Sequence, residues 1–204
     1  MKLNAILSGV FLATAFTAAS ALTVATGNNP QPGQSNVLHN ACGLASDTGT
    51  TVQGCLNTDN SILVDFTSDE VLFINGGQAT LRADDNEPFS RLTISTGTMT
   101  SLILNILATE EGFVTFTDGA GTSSPFALDD NGQNFFTLTG IVGNSVSFVT
   151  SLTAGGAETD IVDEVRQVRP GGVVTAIPEP ETYALMMAGL AAVGFISRRR
   201  KTKK

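Results

Sequence analysis

Ser145-Val146-Ser147-Phe148-Val149-Thr150-Ser151-Leu152 is the stretch that decides the fold class of this chain. Val146, Phe148, Thr150 and Leu152 fall on one face at a period of two, while Ser145, Ser147 and Ser151 fall on the other. A strand with one face in a core and the other in water requires this alternation. Leu92 and Ile94 alternate with Arg91, Thr93 and Ser95 in the same way.

Working outward from these two segments, short runs of β-branched and aromatic residues recur between Gly, Asn and Asp punctuation. They predict strands at Ile62 to Phe66, Val71 to Ile74, Ala79 to Arg82, Arg91 to Ser95 and Thr98 to Ala108. Further strands are expected at Phe113 to Thr117, Phe126 to Leu128, Asn134 to Thr139, Val146 to Leu152 and Ile161 to Val168. Met99 to Leu107 is apolar enough to read as a short helix, but its Ile and Thr content and its setting among strands favour a strand. Asn75-Gly76-Gly77 and Asp118-Gly119 are turn signals, because Gly supplies positive φ. Residues 22–60 are rich in Gly, Asn, Pro, Ser and Thr and read as loop with one short strand. The expectation is a mainly β domain, an antiparallel β-sandwich of jelly-roll type over residues 61–172 that includes 22–60. Gly171-Gly172 marks its end, and 173–177 is a linker.

Both ends stand apart from this domain. Lys2, the apolar run Ile6 to Ala19 and the small residues Ala19-Ser20-Ala21 compose a secretory signal peptide over residues 1–21, with cleavage after Ala21. Between Leu22 and Ile177 lie 17 Asp and Glu against four Arg and no Lys, a net of −13. Nucleic-acid affinity depends on Lys and Arg displacing counterions, so a nucleic-acid partner is excluded. Cys42 and Cys55 are the only cysteines. In an exported chain they read as one disulfide, with two free thiols as the alternative. A zinc site would have His39 as its one imidazole and no fourth good ligand.

Catalytic signals are sparse. His39, the single histidine, near Cys42 could form a Cys-His nucleophilic pair or stand as a loop residue beside a disulfide. There is no Gly-x-Ser-x-Gly elbow and no phosphate-cradling loop. Asp84-Asp85, Glu110-Glu111 and Asp129-Asp130 are the carboxylate pairs that glycoside hydrolysis would draw on, each in a turn-like context. Asp129-Asp130-Asn131-Gly132 has the flavour of a calcium loop without EF-hand spacing. No cofactor is expected, structural calcium being the alternative.

The C-terminus carries the most specific pattern. Pro178-Glu179-Pro180 precedes an apolar run from Tyr183 to Ile196, then Arg198, Arg199, Arg200, Lys201, Lys203 and Lys204. As a helix the run rises about 21 Å at 1.5 Å per residue, short of a hydrocarbon core roughly 30 Å thick. The terminal cations can snorkel to headgroups and extend it, and they hold the end cytoplasmic. Tyr183, Ala184, Leu185, Met186, Met187, Leu190, Val193, Phe195 and Ile196 are the expected membrane anchor. Ala188-Gly189, Ala191-Ala192 and Gly194 give a small-residue face for close helix packing.

Ile177-Pro178-Glu179-Pro180-Glu181-Thr182-Tyr183-Ala184-Leu185-Met186-Met187-Ala188-Gly189-Leu190, followed by Arg198-Arg199-Arg200, closely resembles the PEP-CTERM sorting signal of Gram-negative bacteria, a segment also labelled an ice-binding-protein C-terminal domain. Asp163 to Gly172 also resembles the last strand of many β-rich proteins with that signal. Thr93, Thr96, Thr98 and Thr100 form no regular array, so ice binding finds no support. The resemblance implies export by the general secretory machinery and a C-terminal inner-membrane intermediate. It also implies processing by an exosortase, a membrane-embedded cysteine-dependent enzyme, and delivery to the cell surface or beyond. The expected function is a non-enzymatic envelope or extracellular-matrix protein. The alternative is a carbohydrate-binding module acting on exopolysaccharide, although the chain has no Trp and its one Tyr, Tyr183, lies in the tail. A secreted glycosidase is the third reading.

Overall fold

The computed structural model describes residues 21–40, 42–43, 47–174 and 187–190. Among these residues the strands are β1 (Thr23–Thr26), β2 (Val37–Leu38), β3 (Thr48–Leu56), β4 (Asp59–Asn75), β5 (Thr80–Ala83) and β6 (Arg91–Ser95). They continue with β7 (Ser101–Ala108), β8 (Gly112–Thr117), β9 (Phe126–Leu128), β10 (Asn134–Thr139), β11 (Ser145–Ser151) and β12 (Val162–Gly171). The chain is mainly β, and its antiparallel sheet curls into a half-barrel. The expected pair of separate sheets is replaced by one hydrogen-bonded set in the order β1-β10-β7-β12-β5-β4-β6-β11-β8-β9, with β3 along the other side of β4 and β2 on β3.

The curl originates in β4. Asp65 to Thr67 pair with β6, whereas Leu72 to Asn75 pair with β5, so the two arms of the sheet leave the same strand one after the other. Between them the β3–β4 register slips from Thr51↔Thr67 to Gly49↔Leu72. Ser68 sits at that slip, donating its hydroxyl to the Arg91 carbonyl at 2.8 Å. A bulge of this kind raises local twist and bends the strand. The sequence reading placed two strands here, and both of its segments are present on either side of the slip.

The arms meet through aromatic rings. Phe116 on β8 and Phe136 on β10 stand 5.2 Å apart at 59°, although their strands belong to opposite arms. Phe148 and Phe126 each add a ring at 6.2 Å, one against Phe116 and the other against Phe136. Leu92, Ile94, Val146 and Phe148 are buried as their alternation predicts. Leu152 departs from its row: β11 ends at Ser151, and Leu152 is 45 % exposed.

The segment expected as loop with one short strand, 22–60, contributes β1, β2 and the nine-residue β3. Between β1 and β2, residues 27–36 cross the outside of the β10-β7-β12 arm. Thr137 Oγ1 on the outer face of β10 donates to the Gly27 carbonyl at 2.8 Å and accepts from the Asn29 N–H at 3.0 Å. At the far side Gln34 bridges Gly171, where a Cβ would meet the Gln34 side chain at 2.8 Å. β7, between β10 and β12 under this strap, is buried on both faces, and its sequence accordingly showed no alternation.

The turn signals resolve into two mechanisms. Gly76, between β4 and β5, has φ +88° as expected. Gly119 is absent from the positive-φ set; it is small because a Cβ there would lie 2.5 Å from the Val142 carbonyl oxygen. Asp118 organises that turn, accepting from the Ala120 N–H at 2.9 Å and the Val142 N–H at 2.8 Å.

Because Phe136 is the ring shared by the two arms, Phe136→Ala is expected to lower the unfolding free energy by about 3–5 kcal/mol. Urea denaturation checks this; a loss under about 1 kcal/mol would show that the arms do not depend on the ring contact.

Candidate functional site

The sorting residues Pro178, Glu179 and Pro180, the basic residues Arg198 to Lys204, and Ala19 of the signal cleavage site lie outside the described residues. Ala21 is described and is followed within two residues by β1. Of the expected anchor, only Met187 to Leu190 is described, as a helical stretch; Met187 and Leu190 are 65 % and 62 % exposed. A Cβ added at Gly189 would meet nothing within 4 Å. Among the described residues no helix is long and apolar enough to cross a membrane.

Cys42 and Cys55 are joined, with Cα atoms 5.7 Å apart. Cys55 is fully buried on β3 and Cys42 lies just after β2, so the bond clips a loop to the strand. Both sulfurs are used in it, which removes the thiolate that a Cys-His nucleophile or a zinc site needs. His39 Nδ1 lies 3.2 Å from the Gln53 carbonyl, a contact that ties the same loop to β3.

The carboxylate pairs fall in turns. Asp84-Asp85 follows β5, where Asp85 accepts the Glu87 N–H at 3.0 Å. Glu110-Glu111 lies between β7 and β8, and Asp129-Asp130 follows β9. The fold brings Glu111 and Asp129 to one depression of about 280 Å³, with Phe113, Leu128 and Leu152 also on its walls. Both carboxylates are exposed to water, without the apolar enclosure that general-acid catalysis draws on. A second depression of about 230 Å³ lies on the other side of β9, between Gly27, Asp129 and Phe135.

The Asp129 to Gln133 loop is closed by Asn134. Asn134 Oδ1 accepts the Asp129 N–H at 2.9 Å, and its Nδ2 donates to the carbonyls of Asp129 at 2.9 Å and Ile106 at 3.0 Å. Among the described residues no three His, Cys, Asp or Glu side chains converge as a metal cage.

The strongest electrostatic contact lies elsewhere, and no sequence motif announced it. Arg91 Nε donates to Glu158 Oε1 at 2.8 Å, and its Nη2 donates to Glu158 Oε2. The Ser90 hydroxyl adds a bond to Glu158 at 3.0 Å. The fork pins the loop between β11 and β12 onto β6. The Arg91 guanidinium, helped by Ser90, holds the Glu158 carboxyl below its ordinary value. Sequence reasoning missed the pair because 67 residues separate its members.

Residues 176–201 match the family model of the PEP-CTERM protein-sorting motif. The match begins two residues after Val174, the last residue of the β domain with a described backbone hydrogen bond. Neither the curated proteins nor the solved structures contain a match to this chain.

The Arg91–Glu158 fork has a pH signature. A carboxylate whose folded-state pKa is depressed contributes stability above its unfolded pKa and loses it as pH falls through the folded value. Wild type is therefore expected to exceed Glu158→Gln in urea midpoint at pH 7, with the gap closing as pH falls below 4.5. A gap that persists undiminished into acid would show that the fork's charge contributes nothing.

Proposed function

We propose that this chain is a non-enzymatic β protein of the cell envelope or extracellular matrix, held at the inner membrane by its tail before an exosortase processes it. The PEP-CTERM motif implies an exported protein sorted by exosortase. The observation that carries the reading is the position of the motif relative to the fold. Backbone hydrogen bonding of the domain runs to Val174, whose N–H donates to Thr98 at 2.8 Å, and the matched segment starts at 176. No strand among the described residues has to open for the tail to be threaded into a bilayer.

Several features support a non-enzymatic domain. Glu111 and Asp129 are water-exposed, His39 Nδ1 lies against the Gln53 carbonyl, and both cysteines are spent in a bond. In this reading Tyr183 to Ile196 inserts in the membrane while the six basic residues from Arg198 to Lys204 stay cytoplasmic. The exposed Met187 and Leu190 agree with a segment that does not belong to the β core.

In a host that has an exosortase, intact-mass measurement of the exported protein is expected to give a start at Leu22 and an end near Pro178 to Pro180. Recovery of chains still ending at Lys204 from the extracellular fraction of that host would overturn the reading.

A further inference from the structure

One face of the domain departs from the rule that the outside of an antiparallel sheet is solvated. Leu102, Leu104 and Ile106 of β7 point into the main core, so Ser101, Ile103 and Asn105 point outward. Yet Ile103 and Asn105 are fully buried and Ser101 is nearly so. In the sheet register Asn105 pairs with Arg166 and Ile103 with Arg169, which places both arginines on this outer face beside β7. Between them the register shifts, and Gln167 adopts φ +55°, a left-handed conformation that non-glycine residues avoid without cause.

This face gathers what the rest of the domain avoids. Among the described residues, the buried side-chain nitrogen and oxygen atoms without a hydrogen-bond partner belong to Gln34, Ser101, Asn105, Arg166, Gln167 and Arg169. All six lie on the β7–β12 seam or on the strap against it. Asn105 is wholly buried with both amide atoms unpartnered. Buried polar groups are almost always paired, so a cluster of orphans in one place marks something that the isolated chain does not supply.

The charges point the same way. Of the four arginines in this −13 domain, Arg91 is forked to Glu158 and Arg82 lies over the Phe73 ring. Arg166 reaches only a loose contact with Glu164, 3.8 Å from its Nη1, and its Nε is unpartnered. Arg169 has no carboxylate within ion-pair distance among the described residues, despite the acidic excess. Water could satisfy the amides but would leave Arg169 without a paired carboxylate among the described residues. A bare sulfate could neutralise the cations but would offer no donor to the orphan acceptors Asn105 Oδ1 and Gln167 Oε1. A ligand carrying a carboxylate and neighbouring hydroxyls satisfies both sets.

We propose that the β7–β12 seam is a recognition site for a carboxylated sugar. Arg166 and Arg169 grip the carboxylate, Asn105 forms the floor, and the Asn105 and Gln167 side-chain oxygens accept hydroxyl protons. Arg166 is 31 % exposed, and Gln167 and Arg169 are also partly exposed, so the rim is open to solvent while the floor is not. Ligand entry requires these three side chains to swing away from Asn105. The inference goes beyond the sorting reading and does not rest on it, since binding is measured on purified protein whatever its route in the cell.

The test is calorimetric titration of the full chain in a neutral detergent with trigalacturonate, an uncharged galactose trisaccharide and sodium sulfate. Saturable binding of trigalacturonate is expected, at least tenfold tighter than the neutral sugar, and lowered at least tenfold in Arg166→Gln/Arg169→Gln. Asn105→Asp, nearly isosteric, supplies a carboxylate from within; it should abolish binding and raise the melting temperature, which keeps the test decisive if the double variant folds poorly. Absence of trigalacturonate binding, equal affinity for the neutral sugar, or undiminished binding by both variants overturns the proposal. Sulfate binding as tight as trigalacturonate also overturns it, by reducing the seam to a general anion site.

Discussion

Everything in the domain hangs on the shared strand β4. At 17 residues it is far longer than the strands of about 5–6 residues typical of globular domains. A strand of that length cannot stay straight and keep both ends over one small core. The register slip near Ser68 resolves the conflict by bending it, so that the β6 arm and the β5 arm leave in sequence and turn to face each other. The rings of Phe116, Phe136 and Phe148 then occupy the space between the arms. Burying each contributes about 1.5–3 kcal/mol, which is the return on ordering so long a strand. The Ser68 bond to the Arg91 carbonyl and the Arg91 fork to Glu158 lie side by side at this corner. Bend and loop anchor are thus one piece of structure.

Where a strand buries one face, the chain announced it. β6, β9 and β10 have the boundaries that alternation and punctuation predicted, and β11 is displaced by one residue at each end. The failures have a common cause, which is partners distant in sequence. β3 reads Thr-Gly-Thr-Thr-Val-Gln-Gly-Cys-Leu, too polar and too rich in Gly for strand propensity to identify. It is a strand because β4 offers it a long edge to pair with. β7 lost its alternation because segments distant in sequence bury its outer face as well, an event that local pattern cannot encode. The two-sheet sandwich failed for a related reason: counting strands says nothing about one strand serving both arms.

The two functional regions were legible to very different degrees. A sorting tail is read as a linear string by membrane and enzyme, so its information sits in consecutive residues and survives without a fold. The β7–β12 seam is assembled from residue 34, residues 101–105 and residues 166–169, and no window of sequence contains it. The excess of acid over base was visible in the sequence. What it hid was position, since Arg166 and Arg169, half of the domain's basic residues, converge on one bulge. The carboxylate pairs illustrate the converse. They were conspicuous in sequence, yet turns place them in water, where Asp85 accepts the Glu87 N–H.

Tail and seam also share a physical boundary, and it determines how they can coexist in one chain. β12 carries Arg166 and Arg169, and the same strand runs on through Pro170 and Gly171 to the last backbone bond at Val174. Pulling on the tail therefore loads β12 directly, but the load is shared. β12 is hydrogen-bonded to β7 over seven register pairs and to β5 over two, and Gln34 bridges its end. Force applied along a strand that is bonded on both sides must shear many hydrogen bonds together instead of peeling them singly. The arrangement lets the C-terminus be held, threaded or cut while the outer-face arginines keep their register against Asn105. An edge strand such as β1, paired only with β10, could not isolate a site from its own terminus in this way.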